Sequence, residues 1–212
     1  MFKRYSRLQS ISLPINLSEK KDQLKSLLVA RRSYRKYSGK AVSIQQLSHL
    51  LYYSAGIVRY EGKKAKKPHM SYPCSNKTSA LEVYLWVRYG KDIQKGLYHY
   101  NPETHELDVL LRPVFPQDTT KIWLRQRWVR KAAILVFITA VYHRVSDVYG
   151  SEGFPFLFLE AGHLAQNIYL LCPTLGLGCC AVGNLKREAV IQFLDIDPNN
   201  EYPVYYLTVE SL

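Results

Sequence analysis

The sequence lacks the spacings that would commit its cysteines to one fixed chemistry. There are four, Cys74, Cys172, Cys179 and Cys180, with no CxxC pair and no disulfide-framework spacing. That pattern favours reduced thiols in a cytoplasm. The adjacent Cys179-Cys180 pair cannot build a tetrahedral zinc site alone, and both read as small packing residues. No apolar run reaches the ~18 residues needed to cross a bilayer without charges. The N-terminus, MFKRYSRLQSISLPINL, has neither a continuous apolar core nor a small-residue cleavage site, so it does not read as a secretory signal. Internal repeats and low-complexity segments are missing. Acidic residues are scarce: 17 Asp and Glu stand against 29 Lys and Arg, a formal net charge of +12.

The basic excess gathers in the arm with Lys3, Arg4 and Arg7, in Lys63–Lys67 (KKAKK) and in Lys121–Lys131 (KIWLRQRWVRK). Such charge suits an anionic partner: a phosphate-bearing cofactor, an acidic peptide or nucleic acid. Trp123 and Trp128 stand where they could stack bases, yet no nucleic-acid motif accompanies them. A solvated surface is the simpler reading of any one cluster, and nucleic acid is not expected. At 212 residues and 24.6 kDa the chain fits one domain that buries roughly 70% of its unfolded surface. The expected organisation is an arm over residues 1–18 and a domain over 19–212.

Periodicity predicts a first helix from about Glu19 to Arg31, with Ser18 as N-cap and Leu24, Leu27 and Leu28 on one face. A second starts at Ser43, where Ser43 and Gln46 form a capping box and Gly56 marks the stop. Residues 57–80 read as a long basic loop. Leu81–Arg88 (LEVYLWVR) alternates as a strand, and Gly96–Tyr100 with Glu106–Leu111 reads as a hairpin. Lys121–Lys131 reads as a helix, and Ala132–Val141 (AAILVFITAV) as a buried strand. Residues 143–153 read as a loop before a long helix that Pro173 ends or kinks. Lys186–Leu194 is a short helix and Tyr202–Val209 a closing strand. The expected fold is an α+β sandwich: a central, mostly antiparallel sheet flanked by helices.

The run Leu159–Gly183, LEAGHLAQNIYLLCPTLGLGCCAVG, joins an apolar helix to a glycine-punctuated loop. Glu160, His163, Gln166 and Asn167 on that helix need partners. Gly176, Gly178 and Gly183 let backbone amides approach a ligand closely. Earlier, RRSYRKY (31–37) concentrates Arg31, Arg32 and Arg35 with the Ser33 hydroxyl at a helix end, chemistry that suits a mononucleotide phosphate and ribityl chain or, equally, a surface salt-bridge cluster. Pro73–Ser79 (PCSNKTS) offers amides and hydroxyls to a polar ligand, or forms an ordinary turn. Glu160-x-x-His163 has the spacing of carboxylate–histidine metal sites, but no second such pair exists and no metal is expected.

Taken together, RRSYRKY, LSHLLYYSAGI (47–57), PCSNKTSALEVY (73–84), GLYHYNPETHEL (96–107), VYGSEGFPFLFLEAGHLAQNIYL (148–170) and LGLGCCAVGNL (175–185) resemble the nitroreductase superfamily. The resemblance is to its SagB-type thiazole/oxazole-forming dehydrogenase branch and spans residues 25–210. It implies an FMN-dependent α+β fold, a homodimer with flavin at the interface, and a peptide or carrier-bound substrate in natural-product maturation. A cyclodehydratase-type partner goes with that setting, and the positive charge would help dock an acidic leader peptide. Carried over, Arg31, Arg32, Ser33 and Arg35 would hold the FMN phosphate and ribityl group. Cys74, Ser75 and Asn76 would lie against the flavin, Val182 and Gly183 would face its N5 atom, and the Gln166–Asn167 helix would sit at the dimer interface. The implied reaction oxidises a thiazoline or oxazoline to the aromatic azole. The family's Lys-Tyr-Gly appears here as Val148-Tyr149-Gly150, leaving Tyr149 as candidate base with His143 or His163 as substitutes. A generic NAD(P)H-dependent nitroreductase and a non-catalytic flavin- or peptide-binding partner remain as alternatives.

Overall fold

The computed structural model describes residues 7, 11–13, 22–62, 67–75, 79–111 and 126–212. The chain opens with helix α1 (Gln23–Ala30), strand β1 (Val42–Ser43) and helix α2 (Ile44–Ala55). Strands β2 (Ile57–Glu61), β3 (Lys67–Met70), β4 (Leu81–Val87), β5 (Gly90–Lys91), β6 (Gly96–Asn101) and β7 (Glu106–Leu111) follow. A 3-10 turn at Arg127–Lys131 leads into β8 (Ile134–Val141), helix α3 (His143–Tyr149) and the long helix α4 (Phe154–Thr174). Strand β9 (Leu177–Val182), helix α5 (Arg187–Leu194) and strand β10 (Glu201–Ser211) close it.

Six strands form one antiparallel sheet in the order β7-β6-β4-β8-β10-β9. All eight residues of β8 are buried, because helices cover both faces of the sheet. Each of its large apolar side chains is worth about 1.5–3 kcal/mol on burial. On one face Leu81, Val83, Leu85 and Val87 of β4 meet α2 and α4; on the other Tyr84 and Trp86 meet Val129, α5 and Tyr206. This is the expected α+β sandwich, since the period-2 alternation of LEVYLWVR places one apolar set in each layer.

The capping box forms as expected: Gln46 N–H donates to Ser43 Oγ (3.1 Å) and Ser43 N–H to Gln46 Oε1 (3.0 Å). The Gln46 amide also donates to Leu175 O (2.9 Å), tying α2 to the end of α4. Gly56 caps α2, because a Cβ there would lie 2.5 Å from Tyr52 O. Arg88 donates to Arg130 O (2.7 Å) and Val129 O (2.8 Å), fixing the 3-10 turn against the sheet.

Five expectations change. The described part of the first helix begins at Gln23, capped by Asp22, whose Oδ1 accepts from Leu24 N (2.9 Å) and Lys25 N (3.3 Å); Ser18 and Glu19 lie outside the described residues. The stretch 57–80 carries an antiparallel hairpin, β2–β3, rather than a plain loop. Pro68 hid it, and it is tolerated because this two-stranded ribbon is all edge. Residues 143–153 form α3 and a 3-10 turn, although HRVSDVY is rich in weak helix formers. The glycine-punctuated 177–182 is strand β9, with Gly178 inside it. Of the expected 121–131 helix, the described part is the 3-10 turn. Among the described residues no helix is long and apolar enough to cross a membrane.

Candidate active site

The segment RRSYRKY leaves α1 extended and docks on the outer edge of β9, the last strand of the sheet. Tyr34 N–H donates to Cys179 O (2.8 Å). Beyond it the buried Glu210 carboxylate accepts from Ser38 N and Gly39 N, both at 2.8 Å, and from Ser38 Oγ at 3.2 Å. The Tyr37 hydroxyl bonds Thr208 Oγ1 and Tyr34 O, each at 2.6 Å. Burial pushes the Tyr37 hydroxyl up, so it stays a neutral donor. The segment is thus held at three points by backbone and buried groups, which frees its arginines.

Those arginines are braced by rings rather than by acids. Arg31 lies over the Tyr169 ring (5.5 Å) and Arg35 over the Trp128 ring (6.0 Å). Stacking orients a guanidinium while leaving its N–H fork available. Among the described residues no carboxylate comes within ion-pair distance of Arg31, Arg32 or Arg35, so the surface salt-bridge alternative finds no support there. Trp128, half-buried, also stacks on Tyr37 (5.8 Å, 29°), so its ring already has two partners within the protein; Trp123 lies outside the described residues. Arg32 and Tyr34 line a cavity of about 250 Å³ with Cys172, Cys179 and Tyr169, the same tyrosine that Arg31 and Ser33 meet.

Ser33 Oγ and the Tyr169 hydroxyl are 3.0 Å apart, and Ala181 N–H donates to the same hydroxyl (2.8 Å). Burial raises the Tyr169 hydroxyl above its usual range, keeping it protonated. Ala181 precedes the buried Val182 and the exposed Gly183. A Cβ on Gly183 would meet nothing within 4 Å, leaving open space beyond β9.

Helix α4 also organises the PCSNKTS stretch. Glu160, 2% exposed, accepts from Ser75 N (2.6 Å) with one oxygen and from Ala80 N (3.2 Å) with the other. Asn167 Nδ2 donates to Ser71 O (2.9 Å). The loop's backbone donors thus answer what the buried carboxylate on this helix is for: Glu160 clamps the loop. Asn167 serves the fold, whereas His163 and Gln166 are exposed. Burial and the Glu160 charge push the Cys74 thiol up to about 11, so it is neutral at physiological pH. Asn76 lies outside the described residues.

Tyr149 ends α3, 39% exposed, its ring edge-on to Phe156 (5.0 Å) and its hydroxyl without a hydrogen-bond partner among the described residues. Val148 beside it is 51% exposed. His143 at the start of α3 is exposed too.

Sequence reasoning missed a polar cluster where β4, β6 and α3 meet. His99 Nε2 lies 2.8 Å from Glu82 Oε2, its Nδ1 3.3 Å from Asp108 Oδ2, and Arg144 Nη2 2.5 Å from Glu82 Oε1. Arg144 also donates to Ser79 O (3.2 Å), at the end of the PCSNKTS loop. The hydrogen bond that the His99 ring donates to Glu82 raises the His99 pKa above its usual value. Burial pulls the Glu82 carboxyl upward, but His99 and Arg144 outweigh it and hold it below its usual value. Glu82, Ser79, His99 and Arg144 line a cavity of about 450 Å³ with Met70 and Leu81. The hidden signal was register: Tyr84 pairs with His99, which brings Glu82 diagonally beside it on one face.

A three-layer α+β sandwich with arginines free along an edge strand defines a nitroreductase-type fold. Residues 28–209 match the model of the nitroreductase family, and the chain belongs to that family of oxidoreductases. A nitroreductase-type protein of Methanocaldococcus jannaschii is 33% identical over 187 residues, 88% of this chain and 90% of its own length. Among solved structures, a nitroreductase-type protein of Ralstonia eutropha has a TM-score of 0.72 at 24% identity, covering 95% of this chain and 88% of that one. The E. coli microcin synthetase McbBCD complex with truncated pro-MccB17 bound has a TM-score of 0.75 at 16% identity, covering 99% and 78%. The NADPH:FMN oxidoreductase of Vibrio harveyi complexed with NAD+ reaches 0.59 at 14% identity, covering 90% and 69%. These structural likenesses establish the fold.

Proposed function

We propose that this protein is an FMN-dependent dehydrogenase oxidising a thiazoline, oxazoline or related heterocycle on a modified peptide or carrier-bound intermediate in the cytoplasm. The observation that carries the cofactor is the set of ring-braced guanidiniums of Arg31 and Arg35, with Arg32 beside them, that meet no described carboxylate. Three cations that meet no carboxylate among the described residues fit a phosphate monoester. In this reading Arg31, Arg32 and Arg35 bind the phosphate, Ser33 meets the ribityl hydroxyls, and Cys74, Ser75 and Asn76 line one side of the ring. Val182 and Gly183 bring a backbone amide toward the ring across the open space beside Gly183.

FMN supplies hydride acceptance from the azoline ring carbon. The chain's part is to orient both partners and to take the accompanying proton, for which Tyr149 Oη is the candidate. A tyrosine hydroxyl already carries a proton of its own, and the family lysine is replaced by Val148, so proton uptake is the step this chain must solve differently. The likeness to the microcin synthetase complex, over 99% of the chain, supports the peptide setting and a synthetase-type partner. A homodimer is supported by the outer face of α4, where Phe154, Phe158 and Leu159 are 42–57% exposed in line with Gly162, His163 and Gln166.

The deciding experiment is the visible spectrum of the purified protein with FMN titration, then turnover of an azoline-bearing peptide against turnover of a nitroarene with NAD(P)H. Azoline oxidation with slow NAD(P)H consumption supports the proposal. The reverse pattern supports the second reading, a generic NAD(P)H-dependent nitroreductase, which the replaced lysine and the nitroreductase-type relatives favour. Protein that binds FMN and oxidises neither substrate is the non-catalytic partner. A preparation that is colourless and takes up no FMN ends all three flavin readings.

A further inference from the structure

Helix α4 touches each segment assigned above to the flavin. Glu160 holds Ser75 within the PCSNKTS loop and Ala80 just after it, and seven residues on Asn167 holds Ser71 ahead of it. Two residues further, the Tyr169 hydroxyl joins Ser33 of the arginine segment to Ala181 beside Val182 and Gly183. At 1.5 Å rise per residue, Glu160 and Tyr169 lie about 13 Å apart along one rigid axis. We infer that Glu160 and Tyr169 are positioning residues that fix the distance between the phosphate end and the ring end of the flavin site. This rests on the flavin reading above.

The chemistry of Glu160 argues for the role. A carboxylate buried to 2% exposure is costly, and among the described residues no cation pairs with it. It offers acceptors on both oxygens, and two backbone amides use them. Glutamine has the same shape but only one acceptor oxygen; its NH2 group would face an amide donor. Glu160→Gln therefore frees one end of the loop without opening a cavity. Tyr169→Phe likewise keeps the ring under Arg31 and removes only the hydroxyl shared by Ser33 and Ala181.

The test combines FMN titration, the flavin's visible circular dichroism and amide hydrogen exchange on both variants and the native protein. Glu160→Gln is expected to speed exchange at Ser75 or Ala80 and to weaken FMN binding about tenfold, the scale of one charge-assisted hydrogen bond. Tyr169→Phe is expected to speed exchange at Ala181, leave Ser75 and Ala80 unchanged, and weaken FMN by a similar factor with an altered flavin dichroism band. Should Glu160→Gln fail to fold, Asn167→Ala takes its place, with faster exchange and weaker FMN binding expected there too. A folded variant that keeps native FMN affinity and dichroism overturns the inference while the flavin reading stands. Native protein that binds no FMN overturns the flavin reading, and this inference with it.

Discussion

Replacing Gly178 by alanine is expected to disturb the arginine segment from the far side of β9. A Cβ built on Gly178 lies 2.7 Å from Tyr34 Cδ1, 2.8 Å from Tyr34 Cγ and 2.8 Å from Leu212 Cδ2. Carbon atoms in contact prefer about 3.5–4.0 Å, so the Tyr34 ring must retreat by about 1 Å. The ring cannot swing freely, because Tyr34 N is bound to Cys179 O at 2.8 Å and Tyr34 O accepts from the Tyr37 hydroxyl. Overpacking of this kind costs about 1–3 kcal/mol. In a chain of this size that is a fall in melting temperature of about 3–9 °C. The displacement would also reach Ser33 and Arg35 on either side of Tyr34, so FMN affinity should drop with stability. Urea denaturation and FMN titration of Gly178→Ala measure both. In a Tyr34→Ala background the same change should cost clearly less, because only the exposed Leu212 side chain then stands close to the new Cβ. If Gly178→Ala matches the native protein in stability and FMN binding, the ring does not rest on Gly178 and the account of the docked segment is wrong.

The His99 cluster makes stability depend on pH in a signed way. The His99 pKa is raised above its usual 6.5, so its contribution is complete below that pH and fades as pH rises through the raised value. Glu82 is held below its usual 4.5, so its contribution stands above that pH and is lost as pH falls through the lowered value. The stability gap between native protein and His99→Ala should therefore be wider at pH 5.5 than at pH 9; an equal gap removes His99 from the ion-pair account. Leu159→Glu places a charge in the exposed apolar stripe of α4 and should convert a dimer into monomers by light scattering, whereas an unchanged mass moves the interface elsewhere. Cys74, with its thiol pushed up to about 11, should react with iodoacetamide at pH 8 much more slowly than a free thiol; rapid labelling would place it in a different environment.

Much of the fold was legible where local chemistry and tertiary packing agree. The capping box at Ser43 and Gln46, the continuous apolar run of β8 and the hairpin closing at Asn101 all form where the pattern put them. Legibility failed where a residue's meaning comes from a distant neighbour. Gly178 reads as a loop glycine, yet it sits in a strand because Tyr34, far away in sequence, needs the room. Pro68 reads as a breaker, yet its ribbon has no central strand to disrupt. For the candidate site, the residue types in RRSYR were informative, but which ring each guanidinium meets, Tyr169 for Arg31 and Trp128 for Arg35, is set by elements far away in sequence. Glu160 was recognised as needing partners, and only the fold could supply them as two loop amides. The His99 cluster depends on strand register, which short-range pattern does not set.

The docking of residues 31–37 on β9 has a consequence for handling the protein. Strand β9, LGCCAV, is an edge strand, apolar and without a single charge, the kind of ribbon that recruits further chains into aggregates. The same seven residues that carry the arginines lie along that edge, with Tyr34 bonded to it. Ligand-site variants in this segment therefore need to be judged by solubility as well as binding, since a loosened segment uncovers a sticky strand. Arginines flanking the contact are also placed as gatekeepers, so replacing them all with apolar residues should cost soluble expression as well as ligand binding.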